Sequence, residues 1–280
     1  MGRVRPAICD PRSYHQMATS EVLSSPANPL LRDVRRARAQ GGLTADGCCV
    51  AETFHLLEEA LRSGCEVKAV LASESARDAV ERRLRSAPAP RLAVLPDALF
   101  RRISATESSQ GVMALVRPPQ WTLGRLFAGQ ALVVVLDGIQ DPGNAGTIVR
   151  AAEAFDATGV IFLKGTVSPF NPKSVRASAG SLFRMPLLHG VEPAFARAAF
   201  DERELHVYTA GPRARLPLAG AALDRKCALV IGSEARGVSR QDWSTATGVR
   251  IPTRHVESLN AAVAAGILLY EAGRQRAEAL

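Results

Sequence analysis

The sequence predicts an α/β protein, and three stretches carry that prediction. Residues 131–163 read as a strand, a loop of small polar residues, a helix and a second strand, the pattern of a βαβ unit. Residues 228–231 form an apolar run that stops at Gly232, which is the pattern of a buried strand ending in a glycine turn. Open parallel sheets bind ligands at the edge where their strands end in this way. Residues 19–117 alternate short helical and extended patterns. Together they predict a Rossmann-like parallel sheet preceded by a small α/β/α domain.

The chain is long enough for two domains. It has 280 residues, which is ample for two hydrophobic cores. We predict a tail over residues 1–18, the small domain over 19–117, a proline-rich linker over 118–127 and the larger domain over 128–280.

The composition narrows the functional class. A formal charge of +8 is a mild indication of a nucleic-acid partner. No run of 18 apolar residues occurs, so no transmembrane helix is predicted, and the N-terminus lacks the apolar segment of a secretory signal. The five cysteines are odd in number and contain no C-x-x-C pair, so neither a zinc site nor a disulfide framework is predicted. A reducing, cytoplasmic location is therefore expected.

The small domain begins with a capped helix that carries a cluster of arginines. Arg32, Arg35 and Arg36 lie on this helix, predicted over residues 24–39, and are interpreted equally well as RNA contacts or as a solvated face. Further strands are predicted at 48–50, 67–72, 91–95 and 111–116, and further helices at 53–63, 75–85 and 97–103.

The larger domain is predicted to continue the alternation of strands and helices. Strands are expected at 132–136, 159–163, 205–209, 228–231 and 249–251, and helices at 147–155, 191–200 and from 261 to about 270, with another helix opening at Asn171.

Several common sites are excluded by spacing. The glycines near residue 143 do not fit G-x-G-x-x-G, and no G-x-x-x-x-G-K-[ST] is present, which disfavours dinucleotide and ATP sites of those types and a Rossmann-type oxidoreductase. No G-x-S-x-G elbow occurs, and the histidines lack metal-ligand spacing. No metal is therefore called for.

Four polar residues stand at predicted loop and helix boundaries. We expect Asn144 in the loop after the first strand and Arg150 on the first turn of the next helix, where a cation opposes the helix dipole and needs a compensating anion. Ser258 and Asn260 precede the last helix, and for either residue alone helix capping is the commoner role.

These segments resemble the three motifs of the SpoU (TrmH-type) RNA 2′-O-ribose methyltransferases of the SPOUT class. Residues 144–150 resemble the first motif, residues 231–237 the second and residues 251–260 the third. Residues 19–117 resemble the ribosomal-protein-like substrate-binding domain of this family, with Ala51-Glu52 where the family usually has Glu-Gly and Gln110-Gly111 as usual at its end. Order and spacing agree over about half the chain.

The resemblance implies a C-terminal trefoil knot, a homodimer and S-adenosylmethionine as the cofactor. It places the cofactor against three strand-end or loop segments. These are Thr209, Ala210 and Gly211; Gly232, Ser233, Glu234 and Gly237; and Ile251, Pro252, Ser258 and Leu259.

The resemblance also implies the catalytic and RNA-binding residues. Arg150 would stabilise the developing charge on a ribose 2′-OH, with Ser258 and Asn260 orienting the ribose, Asn144 holding the loop or the substrate, and Glu234 holding Arg150 or a partner residue. Arg176 is expected near the RNA. Lys173 and Arg184 are interpreted either as phosphate contacts or as solvated helix ends.

The predicted function is S-adenosylmethionine-dependent methylation of a ribose 2′-OH in RNA. The N-terminal domain favours 23S ribosomal RNA, at guanosine or uridine, by family habit only, and tRNA is the alternative substrate. A catalytically silent RNA-binding module is the other alternative. It should lack Asn144, Arg150 or Ser258, and all three are present.

Overall fold

The computed structural model describes residues 20–85, 90–104, 109–233, 236–239 and 241–279. Its N-terminal unit is built on a five-stranded sheet in the order β1-β4-β3-β5-β2, in which β5 runs opposite in direction to the other four strands. The elements are β1 Ser20–Val22, α1 Pro29–Ala39, β2 Cys49–Ala51, α2 Phe54–Arg62, β3 Val67–Ser73, α3 Arg77–Leu84, β4 Arg91–Leu95, α4 Asp97–Ile103 and β5 Val112–Val116.

Helix α1 begins later than the sequence pattern indicates. Asn28 is its N-cap, with its side chain accepting a hydrogen bond from the Leu30 N–H (2.9 Å), and Pro29 occupies the first helical position. Asn followed by Pro starts a helix well because Pro lacks the N–H that would otherwise be unpaired there. The predicted start at residue 24 is therefore wrong, while the α/β/α layering is confirmed.

The larger unit contains seven strands, all parallel, in the order β10-β12-β9-β11-β6-β7-β8. This confirms the predicted Rossmann-like parallel sheet. The elements are β6 Leu132–Asp137, α6 Pro142–Ala154, β7 Gly159–Leu163, α7 Pro172–Ala177, β8 Leu187–Val191, α8 Pro193–Glu202, β9 His206–Ala210, β10 Leu216–Pro217, β11 Cys227–Gly232, β12 Thr247–Arg250 and α9 Ala261–Glu278.

Alternate residues of β6 face opposite layers of helices. Val134 belongs to the apolar core shared with α6 and α9, whereas Val133 packs with Phe200 of α8 and with Trp243. Burial of both faces explains why the strands read as continuous apolar runs rather than as alternating patterns.

The predicted linker belongs partly to the larger unit. Within residues 118–127 the chain forms a single helical turn, α5 Leu123–Leu126, and Leu126 is fully buried in the core beside α8. The second half of this segment is therefore packed structure rather than an extended connection.

Helix α6 begins at Pro142, five residues before the predicted start. Asp141 caps it by accepting hydrogen bonds from the Gly143 and Asn144 N–H groups (2.5 and 3.0 Å). Asn144 therefore lies on the first turn of the helix and not in a loop. Arg150 lies on the third turn, so the expectation that it opposes the dipole at the helix N-terminus is wrong.

Helix α9 has 18 residues and extends well past the predicted end near residue 270. Its last turns are held by polar contacts that an apolar pattern does not reveal. Gln275 exchanges hydrogen bonds with the Ala221 C=O and the Leu223 N–H (3.0 and 2.8 Å), and Arg276 donates to the Leu223 C=O (2.9 Å). The helix thus packs against the segment that precedes β11, and the trefoil knot stays a prediction.

Candidate active site

The carboxyl ends of four neighbouring strands form one edge of the larger sheet. In the pairing register Gly232 of β11 lies beside Asp137 of β6, and Ala210 of β9 lies beside Val249 of β12. The predicted cofactor residues Thr209, Ala210 and Gly211 end β9, Gly232 and Ser233 end β11, and Ile251 follows β12. Parallel pairing therefore brings three separate segments of the chain to one edge, where α/β sheets bind ligands.

The segment after β11 folds back tightly on its own strand. A side-chain carbon at Gly232 would lie 2.1 Å from the Gly237 carbonyl carbon, and Gly237 itself has a positive φ of 66°. The Gly237 N–H donates to the Ser233 C=O (2.7 Å). Only glycine permits so close an approach and so readily that backbone conformation, which accounts for both glycines of the second motif.

Asp137 is a site residue that the sequence reading missed. It ends β6, and its carboxylate accepts hydrogen bonds from the Ser239 N–H (2.9 Å) and the Trp243 indole N–H (3.3 Å). Asp137 thereby holds the segment after the Gly237 turn against the sheet. Its position at the end of a predicted buried strand was the available signal, because a carboxylate there faces the ligand edge.

Asn144 and Asn260 meet at the N-termini of two helices that run side by side. The Asn260 amide donates to Asn144 Oδ1 (3.1 Å) while its own Oδ1 accepts from the Ala262 and Val263 N–H groups (2.9 and 3.2 Å). Asn260 is therefore both the cap of α9 and a partner of α6. Two helix N-termini, each with a positive partial charge, converge beside the strand ends.

An exposed ion pair supports the first turn of α6. The Lys173 ammonium lies 3.0 Å from Asp141 Oδ2. This ammonium and the N–H groups of Asn144 and Gly143 hold the pKa of Asp141 below its usual range. For Lys173 the sequence leaves two interpretations open, a phosphate contact or a solvated helix end. The ion pair is half-exposed, and ion pairs of this kind contribute little to stability.

Arg150 lies on the solvent side of α6. On this helix Asn144 and Phe155 contact α9, and Glu153 contacts Arg184 on the opposite flank. Helical spacing then turns Thr147 and Arg150 outward, and both are exposed. Arg150 makes no hydrogen bond or ion pair with any described residue. It lies about 9 Å along the axis from Asn144.

The third motif forms an exposed loop between β12 and α9. Pro252 and Ser258 are exposed and Leu259 is half-buried. Ser258 makes no hydrogen bond within the described part of the chain, so no hydrogen bond there would have to break before its hydroxyl could contact a substrate. Glu234, predicted for both cofactor binding and catalysis, lies outside the described residues.

The predicted RNA-binding arginines fall in two different environments. Arg32, Arg35 and Arg36 are exposed on α1. Arg176 and Arg184 instead lie at the junction of the two units, where Arg184 forms ion pairs with Glu59 and Glu153 (both 2.6 Å).

Among the described residues, no group of three or more His, Cys, Asp or Glu side chains could hold a metal ion, and no helix is long and apolar enough to cross a bilayer.

Comparison with known proteins identifies the class. A model of the SpoU rRNA methylase family matches residues 131–270, and a model of the MRM3-like substrate binding domain matches residues 28–114. The chain is 32% identical over 277 residues to an uncharacterized tRNA/rRNA methyltransferase of Synechocystis sp., covering 92% of this chain and 96% of that protein. It is 29% identical to the 23S rRNA (guanosine(2553)-2′-O)-methyltransferase RlmP of Bacillus subtilis over 250 residues, covering 89% and 97%.

Solved structures of related proteins agree with these family matches. The SpoU methyltransferase AviRb from Streptomyces viridochromogenes, in complex with S-adenosylmethionine, matches with a TM-score of 0.77 and 27% identity over 83% of this chain and 91% of that one. An S-adenosylmethionine-bound rRNA methyltransferase from Sinorhizobium meliloti matches with a TM-score of 0.75 and 25% identity over 91% and 98%. Fold and site therefore define an RNA methyltransferase of the SPOUT class. The chain belongs to the SpoU rRNA methylase family, whose methyl donor is S-adenosylmethionine.

The strand-end residues fit this donor. Thr209, Gly211, Ile251 and Leu259 are only partly buried, and Ile251 and Leu259 contribute apolar side chains there. A nucleoside with an amino-acid tail needs a combination of backbone partners and apolar lining. When bound, S-adenosylmethionine supplies an electrophilic methyl group.

The two roles of Asn260 can be separated by substitution. Asn260→Ala should lower the free energy of unfolding by about 1 kcal/mol through loss of the cap, and should also reduce methyl transfer. Asn260→Ser should keep the cap and near wild-type unfolding in urea, yet reduce methyl transfer as much, because serine is too short to reach Asn144. Full activity in Asn260→Ser would show that the contact between the two amides is dispensable.

Proposed function

We propose that this protein transfers the methyl group of S-adenosylmethionine to a ribose 2′-OH of 23S ribosomal RNA, at guanosine. The carrying observation is the contact of Asn144 with Asn260 at two converging helix N-termini, directly beside the strand ends. The base and the RNA are proposed from the relatives, since RlmP of Bacillus subtilis and RlmB of Xylella fastidiosa are both named as 23S rRNA guanosine 2′-O-methyltransferases.

The chemistry needs a positioned hydroxyl and stabilisation of negative charge. A ribose 2′-OH is a weak acid, so negative charge develops on its oxygen as it takes the methyl group, while S-adenosylhomocysteine leaves and the hydroxyl proton passes to solvent. We assign this stabilisation to Arg150, which has no partner among the described residues and is free to bind an anionic substrate. The guanidinium acts as a cation, because deprotonating it near neutral pH is costly. Asn144, Asn260 and Ser258 orient the ribose.

Methyl transfer from labelled S-adenosylmethionine to unmodified ribosomal RNA and to tRNA tests this proposal. Wild type should yield a ribose-methylated guanosine in ribosomal RNA, identified by mass spectrometry of nucleosides. Arg150→Ala should lower kcat by about 100-fold or more, as loss of a charge-stabilising group does. Arg150→Lys should retain part of the activity, because it keeps the positive charge.

The outcomes distinguish the alternatives. Ribose-methylated product in tRNA alone would replace ribosomal RNA with tRNA as the substrate. Cofactor binding without transfer to either purified RNA would contradict the assignment of free ribosomal RNA as substrate. Absence of both transfer and cofactor binding would leave a silent RNA-binding module. Equal loss of activity in the lysine and alanine variants would contradict a purely electrostatic role for Arg150.

We propose that one face of the N-terminal unit binds the RNA backbone. Helices α1 and α4 pack on the same side of the first sheet, where Leu31 and Phe100 share one apolar core. Their outer surface carries five exposed arginines, none of which forms a salt bridge with a described carboxylate. These are Arg32, Arg35, Arg36, Arg101 and Arg102. By contrast, Arg77 and Arg83 of α3 are neutralised by Glu81 and Glu58 (2.8 and 2.6 Å).

Salt dependence of RNA binding tests this face. The double variant Arg32→Ala, Arg36→Ala should bind ribosomal RNA more weakly and reduce the slope of log K against log salt by roughly 1.4, the value for two lost phosphate contacts on single strands. Arg77→Ala, which removes an arginine already paired with Glu81, is the matched control and should leave the slope unchanged. If the double variant and Arg77→Ala both show the wild-type slope, α1 is excluded from the RNA surface.

We propose a homodimer formed through the outer surface of α6 and α9. Among the described residues, five large hydrophobic side chains are exposed, and Val256, Val263 and Tyr270 belong to α9 or the loop before it. Val263 and Tyr270 lie seven positions apart, which places them on one stripe. Three such side chains on or beside one helix support an association surface there. The same surface carries Arg150, which would then lie at the interface.

Analytical ultracentrifugation checks the dimer. Val263→Glu should convert a wild-type dimer to a monomer, because it places a charge in the apolar interface. Glutamate at this third helical position favours the helix itself, so the fold should be retained. Phe195→Ser, at an exposed phenylalanine of α8, should remain dimeric. A monomeric wild type at micromolar concentration would refute the proposal.

We place the protein in the cytoplasm. Its described cysteines, at positions 48, 49, 65 and 227, are free thiols, which suits a reducing compartment. Recovery in a membrane or extracellular fraction would contradict this.

A further inference from the structure

Residues 171–184 lie between α6 and the N-terminal unit. On one side α7 approaches α6 so closely that a side-chain carbon at Gly146 would lie 2.2 Å from the Ser174 carbonyl oxygen. On the other side His55 of the N-terminal unit lies with its Nε2 3.2 Å from the Ala179 C=O, and α7 contacts β2. The segment therefore joins the helix that carries Asn144 to the N-terminal unit.

Arg184 is the last residue of this segment, and its side chain joins the segment to α6 and to α2. Its Nε and Nη2 donate to the two carboxylate oxygens of Glu153 on α6 (2.6 and 3.0 Å). Its Nη1 donates to Glu59 Oε2 and to Ser63 Oγ of the N-terminal unit (2.6 and 3.3 Å). A guanidinium has five N–H donors, so these four bonds leave too few for bidentate contact with a phosphate.

The glutamates that face the segment are buried. The side chain of Glu59 is 8% exposed and that of Glu52, at the end of β2, is 2% exposed. Arg176 of α7 approaches Glu52, with Nη1 3.9 Å from Oε2. Glu59 also pairs with Arg62 of its own helix, whereas Arg184 and Arg176 bring cations from across the junction to Glu59 and Glu52. A buried carboxylate is costly without nearby cations, so the contacts across the junction favour one arrangement of the two units over others.

We infer that Arg184 is a positioning residue that holds the N-terminal unit in one orientation on α6. Because the orientation of the two units is fixed before RNA binds, RNA on the N-terminal unit presents its ribose directly at the first turn of α6. Pre-organisation of this kind lowers the cost of binding a large substrate. The inference rests on the proposed function for its substrate, whereas the orientation of the units can be measured independently.

The test compares Arg184→Met with Arg77→Met in the full-length protein. Methionine preserves much of the side-chain volume, and Arg77 is a matched control because its pair with Glu81 lies within α3 (2.8 Å). We expect Arg184→Met to raise the KM for ribosomal RNA roughly tenfold, with the KM for S-adenosylmethionine within about twofold of wild type. Hydrogen exchange should speed up in residues 171–184 and in α2, and neither change should appear in Arg77→Met.

The double variant Arg184→Met, Glu59→Gln guards against loss of the fold. Removing both charges avoids leaving the buried Glu59 carboxylate with Arg62 of its own helix as its remaining ion-pair partner, so the double variant should fold and still show the raised KM for RNA. A KM and hydrogen exchange equal to those of Arg77→Met would overturn the inference. So would weaker RNA binding with a reduced salt slope and unchanged exchange, which would make Arg184 a phosphate contact. Faster exchange in Arg184→Met, with no methylation of any RNA by wild type, would support the positioning role and reject the proposed function.

Discussion

The pairing of β11 with β6 on one side and with β9 on the other determines where the site residues lie. Because all seven strands are parallel, every carboxyl end reaches the same edge. The loop that follows β11 and the first turns of α6 and α9 are consequently neighbours, although the chain separates Asn144 from Asn260 by 116 positions. Loss of register in this sheet would disperse the site even with every side chain intact.

Three polar residues at the ligand edge of the sheet have structural tasks. Asn260 caps α9, Asp141 caps α6, and Asp137 holds the segment after the Gly237 turn. Asp141 and Asn260 thereby hold the first turns of α6 and α9 in place, as pre-organisation for an oriented substrate would require. Arg150 differs from them, because it is exposed and without a partner in the described part of the chain. A residue with that environment suits contact with a separate molecule.

The sequence predicted the parallel sheet, the βαβ unit and the strand-end segments because those depend on local apolar patterns and glycine turns. It failed where two local signals compete. The small residues of 142–146 read as a loop, yet Asp141 followed by Pro142 is a strong helix start, and the helix begins there. The end of α9 was missed for a different reason. Its last turns depend on Gln275 and Arg276 bonding to carbonyls about 50 positions away, which no periodicity contains.

Arg184 shows how a basic residue whose neighbours in the chain are uncharged can find its acidic partners through the fold. Its neighbours in the chain are apolar or small, so a basic residue there suggests a solvated or RNA-facing position. In the structure the acids that bind it come from Glu59 and Glu153, which are 125 and 31 positions away. The exposed arginines of α1, Arg32, Arg35 and Arg36, form no ion pair with a described carboxylate. What separates the two groups is the tertiary distribution of acids. The positive surface open to a polyanion is therefore set by where the glutamates fold and not by where the arginines occur.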